Sequence, residues 1–388
     1  MSFKRRDFIK GLGALGIGSV IAPSIACSNE KKDILVKEEI DPTVKKYCGP
    51  FGEGEEITMA GYDYNRVVAL TDGRVKVKGC KISYEVTGIG PLNIHAFYGK
   101  QTRDVTEIGL IPYILAFANG GFRDYLLLPI PVLRIFRHRS IFVRTDSGIN
   151  EPKDLIGKRV ATVGYSSSGL THVRGILQDE YGVRPDQITW ISTKKDSAAN
   201  LTGGVSDWEK VKPEGVEILD APEGEDESTL LLSGQVDAIF HPAEPMAFQQ
   251  RNPKIRRLFE DYKSVESEFY KRTGIFPIMH TVAIKKTTVE KNPWLVKAVF
   301  DAYSEAKKLD MEYINKLAWA YDSLPWYGQE FESSKDIMGD NYYPYGFDRS
   351  KDAYQKAADF LYDQKLLKKK MNIEEMFVSS SLGLKENN

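Results

Sequence analysis

The stretch that decides the fold is Lys158-Arg159-Val160-Ala161-Thr162-Val163-Gly164-Tyr165-Ser166-Ser167-Ser168. Small and β-branched apolar residues run up to Gly164, three serines follow at a turn, and Leu170–Asp179 then has the spacing of a helix. A strand that leads directly into a helix is the unit from which parallel sheets with helical cover are built. This segment therefore predicts an α/β fold.

The same alternation of strands and helices recurs on both sides of this unit. Further predicted strands are Glu56–Ala60, Lys81–Val86, Thr106–Ile111, Leu126–Pro131, Ser140–Arg144, Gln187–Ser192, Val236–Phe240 and Thr281–Lys285. From Pro293 onward the pattern is helical. We predict two α/β lobes, with lobe 1 comprising 56–143 plus 281–388 and lobe 2 comprising 144–280. The chain would cross between them near residues 143 and 280, and a ligand cleft would lie at the junction.

The bulk composition excludes some classes of function. Hydrophobic residues at 42% and charged residues at 28% are ordinary for a soluble globular protein. The net charge of -1 lacks the basic excess that accompanies nucleic-acid binding. The five histidines are scattered and the three cysteines lack metal-ligand spacing, so we expect no metal site.

The N-terminus has the features of an export signal. Arg5 and Arg6 are followed by Phe8 and Lys10, which is typical of the twin-arginine route. The apolar run Gly11–Ala26 is too short and too rich in glycine to span a membrane. We therefore predict a removable signal peptide over residues 1–26 and a location in the periplasm or cell envelope.

Two cleavage outcomes fit the end of this signal, besides an uncleaved anchor. Ser24-Ile25-Ala26-Cys27 resembles a lipobox, which would attach lipid to Cys27 and tether the body to a membrane through residues 27–55. The same tetrapeptide fits cleavage that releases a soluble protein, although lipid anchoring is favoured. Cys48 and Cys80 then remain as a disulfide or as two free thiols, and we favour free thiols because Cys80 lies in a predicted strand.

Polar side chains follow the predicted strands, at the ends where open α/β sheets bind ligands. Three serines open the predicted Leu170 helix, where hydroxyls and backbone amides attract anions, although serines also cap helices without any ligand. The candidate ligand contacts at strand ends are Tyr62, Asp63, Arg66, Tyr113, Tyr165, Ser166, Ser167, Ser168 and His241.

Basic residues add further candidate anion contacts. Arg137 and His138 stand just before the strand that enters lobe 2. The planar fork of arginine donates two parallel hydrogen bonds to a carboxylate, and histidine titrates near neutrality. Arg174, one or two turns into the Leu170 helix, would complete the clamp. The alternative at Arg137 and His138 is a solvated basic turn.

Several stretches of the chain resemble one known family. They are Tyr62–Arg66 with Asp72–Val75, Phe136–Ile141, Arg174–Val183, Tyr270–His280 and Tyr343–Gly346. In these stretches the chain resembles the 4,5-dihydroxyphthalate decarboxylase family, whose members are similar to type 2 periplasmic solute-binding proteins. Some of the latter serve ABC transporters. The resemblance implies a two-lobed fold of that type, with a hinge and C-terminal helices.

Two functional hypotheses follow. In the first, the chain is a solute receptor whose lobes close on a small anionic ligand, such as a carboxylated aromatic molecule. Arg66, Arg137 and Arg174 hold this ligand for uptake by an ABC permease. In the second, the same cleft is a decarboxylase that needs no cofactor, and His138, His241 or His280 delivers a proton to the ring after CO₂ leaves. Neither hypothesis requires a metal or an organic cofactor.

Overall fold

The computed structural model describes residues 46–194 and 207–386. The predicted signal peptide, Cys27 and the first part of the predicted tether lie outside the described residues. The strands are β1 (Lys46–Gly52), β2 (Glu55–Gly61), β3 (Cys80–Val86), β4 (Val105–Gly109), β5 (Tyr125–Arg134), β6 (Ile141–Arg144), β7 (Arg159–Val163), β8 (Thr189–Thr193), β9 (Ile218–Asp220), β10 (Ala238–Phe240), β11 (Ile255–Arg257) and β12 (Ile278–Lys285).

Helices separate these strands as the sequence pattern predicts. They are α1 (Asn65–Thr71), α2 (Ile89–Phe97), α3 (Leu110–Gly120), α4 (Ser168–Tyr181), α5 (Glu227–Leu232), α6 (Met246–Gln249), α7 (Tyr262–Thr273), α8 (Lys286–Lys291), α9 (Leu295–Tyr313), α10 (Trp319–Tyr321), α11 (Tyr327–Met338) and α12 (Lys351–Asp363). A π-helical turn, Ile314–Ala318, joins α9 to α10. Among the described residues, no helix combines the length and the apolar character that crossing a bilayer would require.

The strands form two six-stranded sheets, one in each lobe. The lobe 1 sheet has the order β1-β3-β2-β4-β12-β5, and the lobe 2 sheet has the order β11-β6-β10-β7-β8-β9. In each sheet the strands that precede helices run parallel: β3, β2 and β4 in one, β10, β7, β8 and β9 in the other. Antiparallel strands flank them, because the chain leaves and re-enters each lobe there. The two-lobed α/β prediction is therefore confirmed.

The chain crosses between the lobes slightly earlier than residues 143 and 280. β5 ends at Arg134 in the lobe 1 sheet, and β6 begins at Ile141 in the lobe 2 sheet. On the return, β12 already begins at Ile278. The two crossing segments contact each other, since the backbone N–H of Ile135 donates to the carbonyl of Pro277 at 3.1 Å.

One apolar core connects the two lobes. It contains Leu115 from α3, Leu170 from α4 and Tyr354 from α12, so the C-terminal helix packs against elements of both lobes. A second core lies in lobe 1 between the sheet and α1 with α9. Cys48 and Cys80 belong to this second core as free thiols, which confirms the favoured alternative. Burial raises the pKa of the Cys80 thiol to about 11, so it stays protonated and unreactive.

Candidate functional site between the lobes

The N-terminal ends of two helices meet where the lobes touch. The backbone N–H of Ile111, in the first turn of α3, donates to Oγ of Ser168, the first residue of α4, at 3.2 Å. Both helices follow parallel strands directly, β4 in lobe 1 and β7 in lobe 2. The positive ends of two helix dipoles therefore converge at the ends of the strands, where α/β folds bind ligands.

On the lobe 1 side, a buried carboxylate organises the ends of the strands. Glu107 in β4 is only 2% exposed, and its oxygens accept hydrogen bonds from the Tyr62 backbone N–H at 3.0 Å and the Tyr64 hydroxyl at 2.7 Å. Nδ1 of His280 lies 2.6 Å from the same carboxylate. We call Tyr62, Tyr64, Glu107 and His280 the lobe 1 cluster.

The sheet register explains why these groups meet. β4 and β12 are antiparallel neighbours, with Glu107 opposite Val282 and His280 opposite Gly109. Because side chains alternate between the two faces of a sheet, residues two apart share a face, and Glu107 and His280 lie diagonally across from each other. Tyr62 and Tyr64 follow the end of β2, and β2 pairs with β4 on the side of β4 that is opposite to β12.

Two phenols and an imidazole lie side by side in the lobe 1 cluster. Burial and the nearby Glu107 charge raise the pKa of Tyr62 to about 12 and that of Tyr64 well above its usual value, so both phenols stay protonated. The Tyr62 ring stacks on Tyr64 at 5.2 Å and lies 5.9 Å from the His280 ring. Because Glu107 engages Nδ1 of His280, Nε2 is the other ring nitrogen, which remains for contact with a ligand.

On the lobe 2 side, a buried cation lacks an anionic hydrogen-bond partner among the described residues. Arg137 is 4% exposed and donates to the Pro242 carbonyl at 2.6 Å, to Sδ of Met279 at 3.1 Å and to Oγ of Ser140 at 3.4 Å. All three acceptors are uncharged, and a thioether is a weak one. Burial lowers the pKa of Arg137 to about 9, which leaves it protonated at neutral pH.

The first turn of α4 lies against this guanidinium. A Cβ placed on Gly169 would come within 3.0 Å of the Arg137 Cζ atom, so glycine permits the close approach. Ser167 caps the helix by accepting from the Leu170 N–H at 3.3 Å. Ser166 is fully buried, and its hydroxyl has no hydrogen-bond partner in the part of the chain that the structure describes. We call Arg137, Ser166, Ser168 and Gly169 the lobe 2 cluster.

His241 and Asp63 also stand at strand ends, in different environments. His241 follows β10 and is fully buried, and its Nδ1 accepts from the Ala243 N–H at 3.0 Å. It directly precedes Pro242, whose carbonyl accepts from Arg137. Asp63 follows Tyr62 and is exposed.

The structure does not bring the three predicted arginines together. Arg66 lies between the rings of Tyr64 and Tyr343, with its Cζ atom 4.3 Å from each centroid, and its Nε donates to the Val132 carbonyl. It lines a cavity of about 370 Å³ beside α9, together with Asp310. The expected convergence of Arg66 with Arg137 and Arg174 is corrected accordingly, because the Arg66 side chain lies toward α9; its contact with a ligand stays a prediction.

Arg174 is a core residue in this structure, which corrects its predicted place in a clamp. Its Nε donates to Oε1 of Gln364 at 2.8 Å and its Nη1 to the Tyr165 carbonyl at 2.6 Å. The Tyr165 ring covers the guanidinium at 3.6 Å, and both residues are buried. Because α12 packs on α4, the side of the helix that bears Arg174 is closed to a ligand.

Tyr113 and His138 also lie in the interior. The Tyr113 hydroxyl donates to the Tyr125 carbonyl at 2.9 Å. The helix α3 that carries Tyr113 is apolar and buried around nearly its whole circumference, so this tyrosine does not face a cleft. His138 packs edge-on against Phe259 and Phe269 beneath α7. Burial lowers the pKa of His138 to about 4, so the expected titration near neutrality does not occur.

Sequence reasoning missed Glu107 and Tyr64. A signal for Glu107 was present, because a glutamate inside a predicted buried strand needs partners for its charge. Tyr64 lies within Tyr62–Arg66, one of the stretches that resemble the family, but the candidate ligand contacts do not include it. Within residues 46–194 and 207–386, no group of acidic, histidine or cysteine side chains has the arrangement of a metal site.

Similarity to known proteins agrees with this architecture. The family model described as NMT1/THI5 like matches residues 132–211, which include β6, β7 and α4. A solved periplasmic sulfonate-binding protein of a sulfonate ABC transporter, from Methylobacillus flagellatus, is 13% identical with a TM-score of 0.50, covering 85% of this chain and 94% of its own. At that identity the likeness concerns the fold alone.

Curated relatives are closer in sequence. A 4,5-dihydroxyphthalate decarboxylase from Pseudomonas putida is 30% identical over 218 residues, which are 55% of this chain and 81% of the relative. One from Comamonas testosteroni is 30% identical over 330 residues, which are 84% of this chain and 97% of the relative. On this near-complete match, the chain belongs to the 4,5-dihydroxyphthalate decarboxylase family.

Proposed function

We propose that the chain is an exported solute-binding protein that captures a small carboxylated, aromatic ligand between its lobes for uptake by an ABC permease. The observation that carries this proposal is the position of Arg137: its buried guanidinium lies against the first turn of α4, and its described hydrogen-bond partners are all neutral, one of them a weak thioether acceptor. Burying a cation without an anion is costly, and a ligand carboxylate would remove that cost.

The surroundings of Arg137 favour an anion in particular. The first turn of α4 lies against the guanidinium, and the first turn of α3 meets it through the Ile111 N–H, which donates to Oγ of Ser168. The Ser166 hydroxyl, buried without a described partner, offers one further donor. The ligand contacts we propose from lobe 2 are Arg137, Ser166, Ser167 and Ser168, with His241 beside them.

The lobe 1 cluster favours a ring in the ligand. Tyr62 already stacks on Tyr64, and an aromatic acid would extend that stack at the edge of the site. The curated relatives are named for an aromatic dicarboxylate, 4,5-dihydroxyphthalate. Benzene carboxylates with hydroxyl substituents are therefore the first ligands to try.

Two features of the N-terminal sequence support export. Arg5 and Arg6 with Phe8 match a twin-arginine signal, and Cys27 stands at a lipobox-like sequence. The Methylobacillus protein that shares the fold is named as periplasmic and as part of an ABC transporter. A lipid-anchored receptor outside the cytoplasm is consistent with both features.

The second candidate function is decarboxylation, and the Glu107–His280 contact of 2.6 Å favours it. Loss of CO₂ from a hydroxylated benzoate leaves carbanion character on the ring carbon, which a general acid must protonate. In this hypothesis the electron pair of the broken C–CO₂ bond stays on the ring carbon, and that carbon takes a proton from Nε2 of a doubly protonated His280, while Glu107 accepts from Nδ1–H. His241 is a second candidate donor, whereas the pKa of His138, which burial lowers to about 4, argues against His138.

One experiment separates the two candidates. The mature chain is mixed with 4,5-dihydroxyphthalate, phthalate and benzoate, and both thermal stabilisation and CO₂ release are measured. Stabilisation without CO₂ is the result expected of the receptor. CO₂ release that His280→Ala abolishes, while stabilisation by the ligand persists, is expected of the enzyme. Unchanged melting with every acid and no CO₂ release would contradict both.

A further inference from the structure

The C-terminal helices of lobe 1 expose a cluster of large apolar side chains. The segment Tyr313–Trp326, which we call the aromatic hairpin, leads from the end of α9 through α10 to the start of α11. Trp319, Trp326 and Tyr321 are 73%, 72% and 70% exposed. Tyr313, Leu317 and Leu324 are exposed in the same segment. Soluble proteins commonly expose single apolar residues, but a group of this kind marks an interaction site.

The hairpin extends beyond the part of α9 that packs into lobe 1. Val299, Tyr303 and Ala306 of α9 pack into the lobe 1 core at helical spacing. After the π-helical turn Ile314–Ala318, Ala318 is still fully buried, whereas Trp319, Tyr321, Leu324 and Trp326 are all at least two-thirds exposed. The apolar stripe of an amphipathic helix normally faces its cover. Here large apolar side chains stand outside the covered face, so they require a different apolar partner.

The composition of the hairpin indicates what that partner is. The segment 313–326 contains one lysine, Lys316, and one aspartate, Asp322, so its net charge is zero. Tryptophan and tyrosine side chains, with an apolar ring and one polar group, are enriched at the headgroup level of lipid bilayers. A projecting tip of this composition, without a basic patch, fits the interface of a bilayer rather than a charged macromolecule.

The route of the chain adds a second argument, which rests on the proposed export and anchoring. Residues 28–45 connect Cys27 to β1, and roughly 18 extended residues reach at most about 65 Å. A body on such a tether stays close to the bilayer. We propose that the aromatic hairpin inserts into the interfacial layer of that membrane, so that the body is held by two points instead of one.

Two-point attachment would fix the orientation of the ligand site. α11 contacts α7 of lobe 2, and Lys263 of α7 pairs with Glu330 of α11 at 2.8 Å. The hairpin is thus connected to both lobes. A membrane contact there would present the junction between the lobes to a membrane-embedded partner in one orientation.

The test uses the chain from Ser28 onward, which carries no lipid, and vesicles of zwitterionic phosphatidylcholine. We expect it to sediment with the vesicles and its tryptophan emission to shift to shorter wavelength. Trp319→Ser with Trp326→Ser should lower the vesicle partition coefficient at least tenfold. Trp294→Ser is the matched control, because Trp294 is also exposed but lies at the opposite end of α9. Binding should persist at about 1 M NaCl, where charges are screened beyond about 3 Å.

Several results would overturn the proposal. They are an absence of vesicle binding, an equal loss in the Trp294 control, and binding that high salt abolishes. Shielding of Trp319 and Trp326 from acrylamide without vesicles would also overturn it, because another segment or a second copy would then cover the hairpin. Thermal stabilisation by aromatic acids, measured on the same variants, should be unchanged. A failure of the membrane contact is therefore distinguishable from a failure of ligand binding.

Discussion

The two clusters that face the junction between the lobes differ in how well their polar groups are satisfied. In the lobe 1 cluster, Glu107 receives three hydrogen-bonding groups, and the network closes on itself. In the lobe 2 cluster, Arg137 has only neutral acceptors and the Ser166 hydroxyl has no described partner. A closed network holds its members in place, whereas an incomplete one is completed by a ligand.

This difference assigns separate tasks to the two lobes. In the proposed function, lobe 2 supplies the positive charge of Arg137 and the N-terminus of α4, which an anionic ligand would neutralise. Lobe 1 supplies an oriented imidazole and an aromatic surface. A ligand that bridges the lobes would carry its carboxylate toward Arg137 and its ring toward Tyr62. Binding and any proton transfer should therefore respond to different substitutions.

The largest expected effect is on ligand affinity. Arg137→Gln should weaken binding of an aromatic carboxylate by about 30-fold to several thousand-fold, since removing one partner of a buried charge pair costs roughly 2–5 kcal/mol. Arg174→Gln is the matched control: its guanidinium is equally buried but is occupied by Gln364 and Tyr165. It should lower the melting temperature and leave affinity unchanged. Calorimetric titration measures the ligand affinity of both variants, and equal affinities would contradict the role proposed for Arg137.

The second prediction concerns the closed network. Glu107→Gln replaces a charged acceptor that serves three groups, and we expect the free energy of unfolding to fall by roughly 2 kcal/mol. Glu56→Gln is the control, because Glu56 is an exposed carboxylate paired with Lys81 and such pairs contribute about 0–1 kcal/mol. Urea unfolding measures both. Equal losses in the two variants would contradict a structural role for Glu107.

The third prediction concerns pH. Burial holds the pKa of folded His138 at about 4, below its ordinary value of 6.5, so below about pH 6.5 the unfolded chain binds more protons at this site than the folded chain does. The contribution of His138 to stability is present above pH 6.5 and is lost as pH falls toward 4, at about 1.4 kcal/mol per pH unit. His138→Phe should reduce the slope of unfolding free energy against pH by that amount. An unchanged slope of unfolding free energy against pH in His138→Phe would contradict the burial of His138.

The smallest effect distinguishes two tyrosines. Tyr113→Phe removes a buried hydrogen bond to the Tyr125 carbonyl and should lower the unfolding free energy by about 1 kcal/mol without changing ligand affinity. Tyr62→Phe removes the acceptor of the Ile89 N–H, at the edge of the proposed site. It should alter affinity as well as stability. A change in affinity for Tyr113→Phe would contradict its assignment to the core.

Local pattern predicted much of the fold but less of the site. The segment from Lys158 to Ser168 predicted β7, the serine turn and α4 correctly, because apolar runs, turn residues and helical spacing are local features. The side-chain directions of Arg174 and Tyr113 depend on where α12 and β5 pack, which no local pattern contains. Both residues were placed at the site because their neighbours in sequence lie near it.

The register between distant strands was equally beyond sequence reasoning. Glu107 and His280 are 173 residues apart and meet only because β4 and β12 are antiparallel neighbours with one particular alignment. A buried glutamate signals that some partner exists, but it does not identify the partner. His280 was therefore one of three candidate histidines until the sheet order was known.

The most direct test of the central claim is a crystal structure of the mature chain with bound 4,5-dihydroxyphthalate or phthalate. The account predicts a ligand carboxylate within hydrogen-bonding distance of the Arg137 guanidinium and the Ser166 hydroxyl, with the ring beside Tyr62. A carboxylate seated instead in the cavity of Arg66 and Asp310, with Arg137 still bonded only to Pro242, Met279 and Ser140, would contradict it.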